Sequence, residues 1–417
     1  MEATSDSNGA NKKLSTEPYK GVRDFYPDDM AVQQYIFGMW SRTAESFGFA
    51  RYDASVLEPA EMYSAKTSEE MVSEQTYTFT DRGDRQVTLR PEMTPTVARL
   101  IAAKRKELAF PVRWYSIPNL FRYERAQRGR LREHWQLNCD IFGTDDMAAD
   151  IEIIALANQV LLNFGADSSM FEIRVNNRAW LNAIFAQEGF DAEQSKAMLA
   201  LLDRKEKIDN FAEEAERIAG KPFDIDAGYT PDGDLALVIA GLKELGILNV
   251  SFSPSTVRGL TYYTGTVFEI FDTDPSNNRA MLGGGRYDNL TELFGGEPIP
   301  GIGFGMGDVT MRNFLETHNL LTADITAPTL MILPMDRTLN LEGEKIAAKF
   351  RAAGIDVAVD ISDRKVGKKM SAASDAFVSF VLVLGEDEIS NNRFTIKNLA
   401  DGAESSGTLE ELCDVLA

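Results

Sequence analysis

The sequence predicts an α+β chain: an antiparallel sheet core flanked by helices, a helical insertion, and a separate C-terminal α/β domain. Three observations carry this. Strand-like text brackets an arginine-rich turn between Leu120 and Gly143, with apolar and polar residues alternating on its far side. A mostly helical stretch, 166–250, then interrupts strand-like text that resumes at Ser251. Beyond a composition break at Thr322 to Pro328, short apolar runs alternate with helical periods, the pattern of a largely parallel sheet. The boundaries drawn are a disordered tail (1–17), a first core segment (18–165), the insertion (166–250), a second core segment (251–323) and the last domain (327–417).

The elements follow in order. Residues 1–16 are small and polar and lack the apolar content to fold. Lys20 to Phe25 reads as extended chain, and Asp28 or Asp29 caps a helix running to about Phe47. Gly48 to Tyr52 restarts as a strand ending near Pro59. Thr76 to Leu89 reads as a hairpin turning at Asp81-Arg82-Gly83-Asp84. Val97, Leu100, Ile101 and Leu108 share helical spacing in 94–108. A helix over 148–164 follows the arginine-rich hairpin. Helices fill 166–250, 179–218 being the clearest stretch. Strands return over 257–271 and 280–282, and the glycines Gly301 to Gly307 lead into a helix at 308–317. The last domain reads strand 329–333, helix 340–353, strand 356–359, helix 365–377, strand 380–384 and strand 393–398.

Composition narrows the function. A net charge of −21 argues against indiscriminate binding to nucleic acid or anionic membrane, while leaving room for a local basic groove. Two cysteines, Cys139 and Cys413, give neither a disulfide framework nor a cysteine zinc site, so no metal site is expected. Two histidines, His134 and His318, leave few candidates for an imidazole base. With no apolar run of membrane-spanning length and no signal-peptide pattern, a cytoplasmic location is expected.

Against this acidic background, residues 122–132 hold five arginines, one glutamate and one glycine. Planar guanidinium forks match phosphate oxygens two at a time, so a cationic loop between two strands is a device for handling phosphate.

The motifs, taken in order, resemble the histidyl-tRNA synthetase family of class II aminoacyl-tRNA synthetases from Tyr19 onward. Lys20-Gly21-Val22-Arg23-Asp24-Phe25 is similar to the family's N-terminal signature, and Leu57-Glu58-Pro59 to the dimer-interface motif. Phe121-Arg122-Tyr123-Glu124-Arg125 resembles the second class motif, and Leu89 to Thr94 an amino-acid-binding segment. Most specific are Arg258-Gly259-Leu260-Thr261-Tyr262-Tyr263-Thr264-Gly265 and Gly284-Gly285-Arg286-Tyr287-Asp288. The tail, including Leu384 to Glu388, resembles the family's anticodon-binding domain.

The resemblance implies a ligase that activates histidine with ATP and transfers it to histidine tRNA, working as a homodimer, with Mg2+ accompanying the ATP. It makes Arg122 and Arg258 the catalytic guanidiniums at the reacting phosphate and carboxylate. Glu124 takes the adenine amino group, Arg130 reaches the distal phosphates, and His134 stands where an adenine-stacking phenylalanine is usual. Glu92, Thr94 and Gln136 bind the α-amino group of histidine. Asp140 and Tyr263 read its imidazole, with Tyr262 alongside. Arg125, Gln127 and Arg132 touch the acceptor end of the tRNA, and Arg364, Lys365, Lys368 and Lys369 form a basic cluster for anticodon-stem phosphates.

Four positions depart from the family pattern, His134 among them. Thr310 stands where the third motif places an arginine on the γ-phosphate, and Arg312 lies two residues away, a rotation of roughly 200° on a helix. Val309 replaces an acidic residue. Asp140 is one methylene shorter than the expected glutamate. An alternative reading is a histidine-sensing paralogue like the regulatory subunit of ATP phosphoribosyltransferase, which lacks the anticodon domain and usually the arginine matching Arg258. A tRNA-binding protein that has lost activation is the third.

Overall fold

A computed structural model describes residues 14–64, 75–205, 208–226, 228–258, 262–322 and 327–416. The disordered tail expected at the N-terminus lies largely outside these, as do Gly259 to Thr261 of the tyrosine motif. The chain forms two compact units, Met1–Thr322 and Ala323–Ala417.

In the first unit the strands are β1 (Ala50–Arg51), β2 (Leu57–Pro59), β3 (Tyr77–Thr80), β4 (Gln86–Leu89), β5 (Val112–Ser116), β6 (Asn119–Phe121), β7 (Glu133–Phe142), β8 (Phe171–Asn177), β9 (Val250–Phe252), β10 (Thr266–Asp272), β11 (Ala280–Arg286) and β12 (Gly301–Gly307). A large sheet runs β1-β5-β7-β12-β11-β10-β8-β9, with β6 paired to β7 beside it, while β2, β4 and β3 form a small sheet. The large sheet is antiparallel except where β1 meets β5 and β8 meets β9.

Alternation along the central strands separates two faces. Leu137, Cys139 and Ile141 of β7, Phe268 and Ile270 of β10, and Ile302, Phe304 and Met306 of β12 are buried in one apolar core. The helix Ala148–Asn163 contributes Ile153, Leu156, Ala157 and Val160 to it. Because side chains alternate between faces, Gln136, Asn138 and Asp140 of β7 stand on the other face, together with Gly303 and Gly305 of β12.

The structure corrects several expectations. The first helix, Pro27–Ser46, is opened by Pro27 after Tyr26, not capped by an aspartate. Asp28 and Asp29 occupy its first turn, where negative charge meets the positive end of the helix dipole. The single strand expected over 48–59 is two strands in different sheets. The buried Arg90 guanidinium bonds the Ala54 carbonyl at 2.8 Å and the Asp53 carboxylate at 3.3 Å, taking that stretch out of line. The described residues of 166–250 include the helices Arg178–Gln187, Ala192–Leu202, Phe211–Ala219 and Gly233–Glu244 but also β8, a full strand of the large sheet. Among the described residues of the strand-like stretch 257–271, only those from Thr266 onward pair.

The second unit has β13 (Leu330–Pro334), β14 (Val357–Val359), β15 (Phe380–Leu384), β16 (Phe394–Asn398) and β17 (Glu404–Gly407), ordered β14-β13-β15-β16-β17. The first three are parallel and the last two antiparallel. Strand β17 and the helices Glu386–Asn391 and Leu409–Leu416 were not foreseen. Lys369 leaves the expected basic cluster: it is 1% exposed, and its ammonium donates to the carbonyls of Pro334 (3.0 Å) and Asp360 (2.8 Å). Arg364, Lys365 and Lys368 remain exposed.

Candidate active site

Four glycines shape the site. Gly283 and Gly285 on β11 lie opposite Gly305 and Gly303 on β12, so all four share the sheet face turned away from the helical core. Each is bare because another side chain lies across it. A methyl group on Gly283 would fall 1.8 Å from Arg258 Nη1, and one on Gly303 2.3 Å from Asp140 Oδ1. On Gly285 it would meet Tyr263 at 2.8 Å, and on Gly305 the Gln136 amide at 2.6 Å. The strands thus offer a flat floor on which Arg258, Tyr263, Asp140 and Gln136 converge.

At one end, Tyr262, Tyr263 and Tyr287 pack ring against ring, with centroids 4.9 to 6.4 Å apart. The Tyr262 hydroxyl donates to Glu92 at 2.9 Å, and Thr94 also bears on that phenol. Tyr287 donates to Asp140, whose carboxyl is pushed up to about 7 by burial; the Tyr287 bond works against that rise. A carboxyl balanced between its two protonation states at neutral pH suits a partner carrying ring N–H groups.

Arg258 has a left-handed backbone, φ +57°. Its Nη1 donates to Glu269 at 3.0 Å, and its guanidinium lies 5.9 Å from the Tyr263 ring centroid. Burial acts against its charge, but Tyr263 and Glu269 hold its pKa above the ordinary value. A strained residue that keeps a half-buried cation over the glycine floor is a candidate for chemistry.

At the other end, β6 and β7 pair from Phe121 and Glu133 and present the arginine loop between them. Arg122 Nε donates to the Pro91 carbonyl at 2.8 Å, which ties the loop to the segment bearing Glu92 and fixes the guanidinium plane. His134 is pushed down to about 3 by burial and by the cations Arg122, Arg23 and Arg130, so its ring stays neutral and suits stacking better than proton transfer. The loop tip is a tight turn: Gln127 and Arg130 exchange backbone hydrogen bonds around Gly129, which has φ +75°.

The loop arginines are not equivalent. Arg130, expected at distal phosphates, pairs with Glu124 at 3.2 Å, the carboxylate expected on adenine. Arg128 donates to Asn277 at 2.8 Å. Arg132, expected on tRNA, is a pin: it donates to the Glu124 carbonyl and the Tyr19 hydroxyl, and stacks 4.1 Å from the Tyr123 ring centroid. Arg125 and Gln127 are exposed. Thr310 turns its hydroxyl to the carbonyls of Met281 and Gly307, both at 3.1 Å. Arg312 is taken by Asp29 (3.0 Å) and Glu316 (2.8 Å), so it does not fill the place Thr310 leaves.

Sequence reasoning missed Glu269 and Asp308, and it quoted Tyr287 in the glycine motif without giving it a role. Glu269 had a signal, a lone carboxylate in the apolar run Val267 to Phe271. Asp308 is fully buried and accepts from Arg23 (2.6 Å), Gln33 (2.9 Å) and the Trp135 amide (2.9 Å), which closes the N-terminal signature onto β7. No local pattern announces such a hub.

Comparison with known proteins gives the family of the chain. A family model described as histidyl-tRNA synthetase matches residues 21–223 and 228–308, and one described as an anticodon-binding domain matches 329–417. A histidine–tRNA ligase of Leptospira biflexa is 42% identical over 93% of this chain and 94% of its own. One from Thermoplasma volcanium is 37% identical over 97% and 99%. The fold matches the crystal structure of a Nostoc histidyl-tRNA synthetase with a TM-score of 0.79, covering 97% of this chain and 99% of that one at 23% identity. The floor of glycines, the arginine loop and the appended second unit therefore belong to a member of the histidyl-tRNA synthetase family.

Proposed function

We propose that this chain is an ATP-dependent histidine–tRNA ligase whose two steps are driven by positioned guanidinium cations. In the first step the histidine carboxylate attacks the α-phosphorus of ATP. An acyl-phosphate bond forms, the bond to the β-phosphate oxygen breaks, and diphosphate leaves. Both reactants are anions, so the barrier falls by charge neutralisation and alignment. Arg122, braced by Pro91, grips the α-phosphate, and Arg258 meets phosphate and carboxylate from the glycine floor. Glu92, Thr94 and Gln136 hold the α-amino group, while Asp140, Tyr263 and Tyr262 surround the imidazole. His134 stacks on adenine, and Glu124 accepts from its amino group once Arg130 moves to the phosphates. Mg2+ accompanies ATP and compensates its outer phosphates.

In the second step the terminal ribose hydroxyl of histidine tRNA attacks the acyl carbon and releases AMP. Arg125 and Gln127 are placed to meet the acceptor end, with Arg132 holding their loop. Arg364, Lys365 and Lys368 offer phosphate contacts on the second unit. The homodimer would form through the small sheet, where Leu57 and Phe79 are exposed apolar residues. A cytoplasmic setting suits this activity.

The observation that carries the proposal is the convergence of Arg258, Tyr263, Asp140 and Gln136 on four bare glycines. The test is histidine-dependent ATP–pyrophosphate exchange followed by charging of histidine tRNA. Absence of exchange defeats the proposal and favours the histidine-sensing alternative; exchange without charging leaves only adenylate formation.

The Asp140 carboxyl makes the histidine affinity pH dependent. Burial raises its pKa to about 7, so the acceptor form is present above that pH and is lost below it. The KM for histidine should rise as pH falls from 8 to 6, approaching about tenfold per unit at the acid end. In Asp140→Asn the profile should flatten; a wild-type KM independent of pH over that range would exclude Asp140 from imidazole binding.

A further inference from the structure

We infer that Arg279 is a phosphate-gripping residue of the nucleotide site, held beneath the tip of the arginine loop and aimed at the outer phosphates of ATP. This rests on the proposed reading of the site as an ATP site. Arg279 immediately precedes β11, whose glycines form the floor. A methyl group built on Gly129 would stand 3.1 Å from Arg279 Cδ and 3.4 Å from Thr310 Cγ2, so loop tip, arginine and threonine meet at one point. Arg128, Gly129, Asn277, Arg279 and Thr310 line a small cleft there.

The neighbouring cations are committed elsewhere. Arg128 is on Asn277, Arg312 on Asp29 and Glu316, and Arg23 on Asp308. Among the described residues no hydrogen bond or ion pair engages Arg279, although it is half-buried. Burial and the adjacent Arg130 lower its pKa, and Glu124 offsets this only in part. Arg130 and Arg279 repel each other, and the one carboxylate near both, Glu124, is already paired with Arg130. A polyvalent anion between them removes that repulsion and supplies each fork with acceptors. A polyphosphate fits; a single carboxylate does not satisfy both.

Thr310 completes the arrangement. Its hydroxyl fastens the start of the helix Asp308–Thr317 to the Met281 carbonyl, two residues beyond Arg279, and so fixes the strand end that carries the guanidinium. The cation comes from the strand, and the helix supplies the brace.

The phosphate could also belong to the 5′ end of the tRNA, and the assays separate the two sources. Arg279→Ala should weaken equilibrium binding of ATP and raise the KM for ATP in exchange by about 10- to 100-fold, the loss expected for a charge-assisted hydrogen-bonded pair. AMP, which lacks the outer phosphates, should bind wild type and variant alike, and Arg279→Lys should lose less than Arg279→Ala. Unchanged ATP binding, equal losses for ATP and AMP, or a defect confined to charging would each overturn the inference. Wild-type protein that binds ATP but shows no exchange would defeat the ligase reading, while the ATP and AMP titrations would still decide the role of Arg279.

Discussion

Arg258→Ala is expected to lower histidine-dependent pyrophosphate exchange by about 100- to 1,000-fold, the loss seen when one preorganised donor to a developing charge is removed. The expected size follows from its setting. The guanidinium is held by Glu269 and the Tyr263 ring over a floor with no side chains of its own. Arg258→Lys should recover little, because an ammonium presents a point charge where a planar fork bridges two oxygens. Circular dichroism should show a native spectrum for both variants, since the lost ion pair lies on the sheet face turned away from the apolar core. A near-normal exchange rate in Arg258→Ala would remove this residue from the mechanism.

Gly283→Ala should cost a similar amount without removing any polar group. The added methyl would occupy a point 1.8 Å from Arg258 Nη1, so the guanidinium must move away from the floor. The strand itself tolerates alanine, because the contact is with the far end of a flexible side chain. Gly284→Ala is the contrasting case: its methyl would meet the Gly303 carbonyl, Phe304 Cβ at 2.7 Å and the Phe268 ring at 2.8 Å, so it should lower the melting temperature. The expected pattern is loss of exchange with a retained fold for Gly283→Ala, and loss of fold for Gly284→Ala. Normal exchange by Gly283→Ala would show that the position of Arg258 on the floor is immaterial.

How much of this was legible in the sequence depended on the distance over which each feature is determined. The β6–β7 hairpin and the helix Asp308–Thr317 follow from local alternation and periodicity and were read closely. The strand β8 also alternates, with Phe171, Ile173 and Val175 buried, but lay among helices and was absorbed into them. The glycines before Arg286 are plain in the sequence; that Arg258 and Tyr263 lie across them depends on tertiary packing, which spacing along the chain does not express. The fates of Arg130 on Glu124, Arg132 on Tyr19 and Lys369 on two carbonyls depend on partners that only tertiary structure brings near. A cluster of basic letters cannot tell a solvent-facing cation from a buried one.

The buried Asp308 carboxylate has a consequence for synthesis on the ribosome. It receives Arg23 and Gln33 from the start of the chain and the Trp135 amide from the middle, so three distant segments share one anion. Translation delivers the first two segments long before the third motif emerges, and contacts so far apart in sequence form late. The N-terminal signature must therefore wait, its cation without a permanent mate, until the helix at Asp308 clears the exit tunnel. Completion of the catalytic unit is timed by the last strand of its sheet.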